Sequence, residues 1–134
     1  MPQSSTIIFI CEHGAAKSVL AAAYFNKLAR ELNLDIRAIA RGTNPDAELS
    51  PTAVAGLQAD GLTPAETIPL MLSLAEVESA QRIVAFCELP EEYRSKALIE
   101  QWDDIPPVSQ KYEPARDVIL ANLNRFMEKI NIEK

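Results

Sequence analysis

The chain has 134 residues but only two cysteines, one histidine and four glycines. Two cysteines, Cys11 and Cys87, do not make a disulfide-stapled secreted scaffold. The single histidine, His13, and Cys11 two residues before it form an incomplete metal-ligand set. Positive charge is scarce as well: 13 Lys and Arg stand against 19 Asp and Glu, a net charge of −6. That balance lacks the basic footprint of a nucleic-acid or anionic-membrane binder. No apolar run is long enough to cross a bilayer. The opening "MPQSST" has no basic region, and the apolar run behind it is short for a signal peptide. With two free thiols and no export signal, the chain is expected in the cytoplasm. No repeat, low-complexity tract or linker divides it, so residues 1–134 are expected to form one domain.

What is present is a 48% hydrophobic chain, enough to bury a core, with apolar runs of two kinds. "TIIFIC" (Thr6–Cys11), "DIRAIA" (Asp35–Ala40), "RIVAFC" (Arg82–Cys87) and "ALIEQW" (Ala97–Trp102) are short and rich in β-branched or aromatic residues, as strands are. Between Ser18 and Asn33, Leu20, Tyr24, Leu28 and Leu32 recur every fourth residue, one stripe of a helix. Ser50 followed by Pro51, with Gly61 ten residues on, brackets a second helix. Ser73 and Glu76 form a capping box. Ile119, Leu123, Phe126, Met127 and Ile130 mark a closing helix from about Pro114. Strands alternating with helices predict an α/β fold: a parallel four-stranded sheet with helices on both faces. Ligands of such sheets sit beyond the carboxyl ends of the strands. Cys11 and Cys87 each end a strand candidate, so both thiols are expected at one edge.

The seam after Cys11 carries the chemistry. A strand-to-helix loop turns its N–H groups inward, and the helix adds a positive dipole end, a setting for a tetrahedral oxyanion. A thiol in that setting is favoured as thiolate, the attacking form. Gly14, Ala15 and Ala16 are small and let the backbone close around an anion. Lys17 supplies a positive charge and Ser18 a hydroxyl to steady the sulfur.

Cys11, five residues, a cation at position 17 and Ser18, all after a first strand, resemble the loop of the low-molecular-weight protein tyrosine phosphatases and of their relatives, the thiol-dependent arsenate reductases. The resemblance spans nearly the whole chain. It includes Ala40–Leu62, "RIVAFC" and "QWDDIPPVSQKYEPARDVI". It implies the phosphotyrosine protein phosphatase I-like fold, no cofactor, and a phosphorylated substrate or a small oxyanion, phosphate or arsenate, as ligand. It further implies Cys11 as nucleophile and residues Glu12, His13, Gly14, Ala15, Ala16 and Lys17 as the oxyanion cradle. Glu12 corresponds to a rim position that sets specificity.

The chain departs from the family at three places. Lys17 stands where the family has arginine, and a lysine is a point charge rather than a planar fork. His13 and Gly14 stand where the family has Gly-Asn, so a loop-bracing hydrogen bond is expected of His13. A proton-shuttling histidine is the other reading. The family's acid, an aspartate before a proline in the late loop, falls on Pro106 when counted from Trp102. Asp103 and Asp104 lie just before it, either an acidic turn in water or the source of the acid. Trp102 reads as core beneath that loop, and Tyr112 as either a cleft aromatic or a surface tyrosine. Cys87 reads as a core thiol or as a second sulfur that attacks Cys11, and "ELPEEYRSKA" after it holds no third cysteine.

Three functions follow. The first is a phosphomonoesterase acting through a cysteinyl phosphate, with phosphotyrosine as one substrate. The second is arsenate reduction with Cys87 or a thiol donor such as glutathione. The third is a non-catalytic oxyanion or phosphoprotein binder.

Overall fold

The computed structural model describes residues 5–94, 99–108 and 111–133. Four parallel strands form its sheet: β1 (Ser5–Cys11), β2 (Ile36–Gly42), β3 (Arg82–Ala85) and β4 (Ile99–Gln101), in the order β2-β1-β3-β4. The helices are α1 (Lys17–Glu31), α2 (Pro51–Ala59), α3 (Leu74–Ser79), α4 (Glu91–Arg94) and α5 (Tyr112–Glu133). The architecture is the single-domain α/β one expected. Its fourth strand begins at Ile99; Ala97 and Leu98, which the sequence also assigns to that strand, lie outside the described residues. The second strand runs two residues past Ala40 to Gly42, and the third stops at Ala85, two before Cys87. The short α4 has no counterpart in the sequence reading.

β1 is buried on both faces, which is why it reads as an unbroken apolar run. Ile7 and Phe9 point to one side, where α1, α2 and α5 close the larger core. Ile8 and Ile10 point to the other, against Leu72, Val77 of α3, Ile83 and Leu89. Around Phe9 the rings of Phe25, Phe86, Trp102 and Phe126 pack at centroid distances of 5.9 to 6.4 Å. Each fully buried ring stabilises the fold by roughly 1.5–3 kcal/mol. Trp102 is thus core beneath the late loop, as its sequence position suggests.

The capping signals act where they were read. Ser50 Oγ accepts from Ala53 N at the start of α2, with Pro51 at its first position. Gly61 follows its end at φ +76°. Ser73 and Glu76 close a reciprocal capping box on α3.

The sheet aligns the strand ends. Cys11 pairs with Gly42 in the β1–β2 ladder, and Phe86 N donates to Ile10 O at 2.7 Å just past β3. The chain moves outward from β1 to β2 on one side and to β3 and β4 on the other. The crevice beyond β1 and β3 is therefore the topological switch point, where open α/β sheets bind ligands.

Candidate active site

A cleft of about 670 Å³ opens at that switch point. Cys11, Glu12, His13, Ala15, Ala16 and Lys17 line it on one side, and Phe86 and Cys87 on another. The β2–α2 loop contributes residues 46 to 50 with Pro51, and the late loop Pro107 and Val108. Cys11 is 8% exposed, and its Sγ lies 3.1 Å from Oγ of the fully buried Ser18. Lys17 is the first residue of α1 and stands half-buried at the cleft.

The loop between Cys11 and α1 is held from outside by the β2–α2 loop. Asn44 N donates to Glu12 O at 2.7 Å, Asp46 N to His13 O at 3.0 Å, and Ser50 N to Ala15 O at 2.9 Å. Those three carbonyls face the β2–α2 loop. Among the described residues no peptide bond is cis, and in a trans peptide the N–H points opposite to its carbonyl. The N–H groups of His13, Gly14 and Ala16 are thereby turned the other way. Among the described residues, no backbone carbonyl accepts from the N–H groups of residues 13 to 16. No side chain caps the first turn of α1, and no acidic residue sits in that turn. The orphan donors and the positive end of α1 together form a setting for an anion beside the Cys11 sulfur.

Gly14 makes the loop's tight turn at φ +62°. Position 13, the other departure, carries its ring at the rim of the cleft. His13 Nδ1 lies 3.3 Å from Asn44 O and 3.3 Å from Asp46 Oδ1, and Nε2 lies 4.0 Å from Glu12 Oε1. The ring is half-exposed and braces the two loops, as expected of it. Glu12 is exposed at the rim.

Cys87 shares the cleft with Cys11, which the parallel order of the strands requires. Burial pushes its thiol up, the nearby Cys11 and Glu12 push the same way, and Lys17 and a hydrogen bond with Thr43 oppose them.

The late loop does not bring its aspartates to Cys11. Trp102 and Ile105 are buried at 6% and 5% exposure and anchor the segment between them, leaving Asp103 and Asp104 on its outer side. Asp104 accepts from Asn122 Nδ2 at 3.2 Å and lines a separate groove with Arg125 and Lys129. Tyr112 is not at the cleft. Its hydroxyl is 2.9 Å from Tyr24 Oη, and both tyrosines donate to Asp60. Among the described residues, no three His, Cys, Asp or Glu side chains gather as a metal site.

Several features were not legible beforehand. Asp46, Glu48 and Leu49 line the cleft only because Gly42 ends β2 beside Cys11. Thr43 reaches Cys87 for the same reason. Arg41, one residue past the strand the sequence predicts, ties β2 to the chain beyond α2: its Nη1 donates to Glu66 Oε2 and its Nε to Glu76 Oε2, each at 2.8 Å.

No family model and no curated protein matches the chain. Solved structures do. YwlE from Bacillus subtilis is 20% identical over 96% of this chain and 99% of its own, with a TM-score of 0.81. A second structure of YwlE shows that arginine phosphatase with a phosphorylated active-site serine. A protein tyrosine phosphatase from Entamoeba histolytica, in a product-state mimic, is 15% identical over 98% of both chains, with a TM-score of 0.80. The thioredoxin-dependent arsenate reductase of Corynebacterium glutamicum is 15% identical over 97% of this chain and 63% of its own, with a TM-score of 0.72. The chain has the fold shared by low-molecular-weight tyrosine phosphatases and arsenate reductases.

Proposed function

We propose that the chain is a cysteine-dependent phosphatase that hydrolyses a phosphomonoester through a cysteinyl phosphate. One observation carries this reading. The Cys11–Ser18 pair lies under a loop whose carbonyls are held by the β2–α2 loop, leaving its amides to an anion. The Cys11 thiolate attacks phosphorus, and the ester oxygen leaves. The amides of residues 12 to 17 and the Lys17 ammonium hold the equatorial oxygens as charge builds on them. Ser18 steadies the sulfur as attacker and as leaving group. Leu49, Pro51, Phe86, Pro107 and Val108 give the cleft apolar walls, which suit an aryl leaving group such as that of phosphotyrosine.

A second reading rests on Cys87 in the same cleft. Cys11 attacks arsenate and displaces an oxygen as water. The Cys87 thiolate then attacks the Cys11 sulfur, the S–As electron pair leaves with arsenic as arsenite, and an external thiol reduces the disulfide. Burial first, and the Cys11 charge after it, hold the Cys87 thiol up, which works against its acting as the attacking thiolate.

Turnover of p-nitrophenyl phosphate and thiol-dependent arsenate reduction separate the readings, measured on wild type, Cys11→Ser, Cys87→Ser and Lys17→Arg. The phosphatase reading expects phosphate release that Cys11→Ser abolishes and Cys87→Ser leaves within about threefold. Arsenite formation lost in both cysteine variants supports the reductase. Phosphate binding without either turnover makes the chain a binder and ends the proposal.

A further inference from the structure

The displacement leaves two proton transfers without an assigned group: one onto the departing ester oxygen, one off the attacking water. Neither Asp103 nor Asp104 is among the cleft residues, and Asp104 is bonded to Asn122. The carboxylates at the cleft are Glu12, Asp46 and Glu48, and between the first two stands the chain's only histidine.

The placement of His13 is specific. Both neighbours of Nδ1, the Asn44 carbonyl and the Asp46 carboxylate, are acceptors only, at 3.3 Å each. Nδ1 therefore carries a hydrogen and donates it. Nε2 is left as the nitrogen available to a substrate oxygen, 4.0 Å from Glu12 Oε1, in a residue that lines the cleft. The backbone bond from Asp46 N to His13 O, 3.0 Å, fixes the carboxylate and the ring to each other. A base oriented by a carboxylate through its other nitrogen is the arrangement that acid–base catalysis requires. The charged groups around the ring are Glu12 on its own loop, Asp46 and Glu48 on the β2–α2 loop, and Lys17 at the start of α1.

We infer that His13, oriented by Asp46, is the proton donor and acceptor of this site. The inference rests on the phosphatase reading above. In the first step the S–P bond forms, the P–O ester bond breaks, and the Nε2 proton passes to the leaving oxygen. In the second, water attacks phosphorus and gives a proton to Nε2. The P–S bond breaks, and Cys11 leaves as thiolate. Asp46 is a positioning residue; its effect passes through the ring.

The test compares an ester whose leaving group needs a proton, phenyl phosphate, with one that does not, 2,4-dinitrophenyl phosphate. In His13→Asn, kcat/KM, which reports the first step alone, is expected to fall by about 10²-fold or more for phenyl phosphate and by less than about tenfold for the dinitrophenyl ester. The alkaline limb of kcat/KM for phenyl phosphate should disappear in His13→Asn. In Asp46→Asn, whose fold does not depend on replacing the ring, that limb should move while KM changes little. Equal losses on both esters, or an unchanged alkaline limb in both variants, overturn the assignment of His13. A folded wild type that hydrolyses neither ester overturns the phosphatase reading and the inference with it.

Discussion

Gly14 and Gly42 meet backbone to backbone, and neither has room for a side chain. A Cβ on Gly42 would stand 2.8 Å from Gly14 N and 3.0 Å from its Cα. A Cβ on Gly14 would stand 3.0 Å from Gly42 N. Gly42 cannot retreat, because its N–H donates to Leu70 O and its carbonyl accepts from Leu72 N. The contact seats the end of β2 against the loop between Cys11 and α1. Gly42→Ala is expected to destabilise the fold by about 1–3 kcal/mol through overpacking. Gly14→Ala adds the left-handed strain of about 1–2 kcal/mol to its own close contact. Urea unfolding measures both, and titration with inorganic phosphate should show weaker binding in each. A Gly42→Ala protein with wild-type stability and phosphate affinity would contradict the contact.

Ser18 is the next point of leverage. It is buried, polar, and 3.1 Å from the Cys11 sulfur. Hydrogen bonds to charged groups are worth about 1.5–3 kcal/mol, or roughly 10- to 100-fold in rate. Ser18→Ala should lower kcat for p-nitrophenyl phosphate by that factor and leave KM within about threefold. A loss confined to KM would mean that the hydroxyl serves binding of the ester rather than the sulfur.

The parts of this site that were legible in the sequence are the local ones. Cys11, Lys17 and Ser18 lie within eight residues, and the strand-to-helix seam fixes their relation wherever the rest of the chain goes. Ser50, Pro51, Ser73 and Glu76 likewise act over three or four residues. What was illegible depends on distant packing. Asp46 reaches His13 across 33 positions because β2 lies in register with β1. Counting from Trp102 puts the family's acid position on Pro106 but does not say which side of the late loop faces Cys11. Burial of Trp102 and Ile105 decides that, and it turns Pro107 and Val108, not Asp103 and Asp104, to the cleft. The Arg41 clamp was illegible because its partners, Glu66 and Glu76, are 25 and 35 residues away.

That Arg41 clamp gives the fold a pH dependence. Burial works against the charges of Arg41 and Glu76, but their hydrogen bonds win. Arg41 is held above its ordinary value and Glu76 below 4.5. A carboxylate depressed by folding stabilises the protein above its unfolded pKa, and that contribution is lost as pH falls through the folded one. Asp60, lowered first by its bond from Tyr24, acts in the same direction. Thermal unfolding from about pH 7 to about pH 3 should show a midpoint that falls below about pH 4.5. Glu76→Gln should lower the midpoint at neutral pH and make the acid slope shallower, with Asp60 accounting for part of what remains. An acid slope as steep in Glu76→Gln as in wild type would remove the clamp from the explanation.

Gly56 and Tyr112 supply the last prediction, where α2 meets α5. Gly56 lies inside α2, where glycine costs about 0.5–1 kcal/mol relative to alanine. It is tolerated because a Cβ there would land on Cε1 and Cζ of the Tyr112 ring. That ring cannot swing aside freely. Its hydroxyl bonds Tyr24 and Asp60, and the Arg116 guanidinium sits 5.9 Å from its centroid, joining α1, α2 and α5. Gly56→Ala in the wild-type background should therefore destabilise by about 1–3 kcal/mol. In a Tyr112→Ala background the ring is gone, and the same substitution should become neutral or stabilise by up to about 1 kcal/mol. Urea unfolding of the four proteins closes the cycle. An equal loss in both backgrounds would mean that something other than Tyr112 keeps position 56 bare.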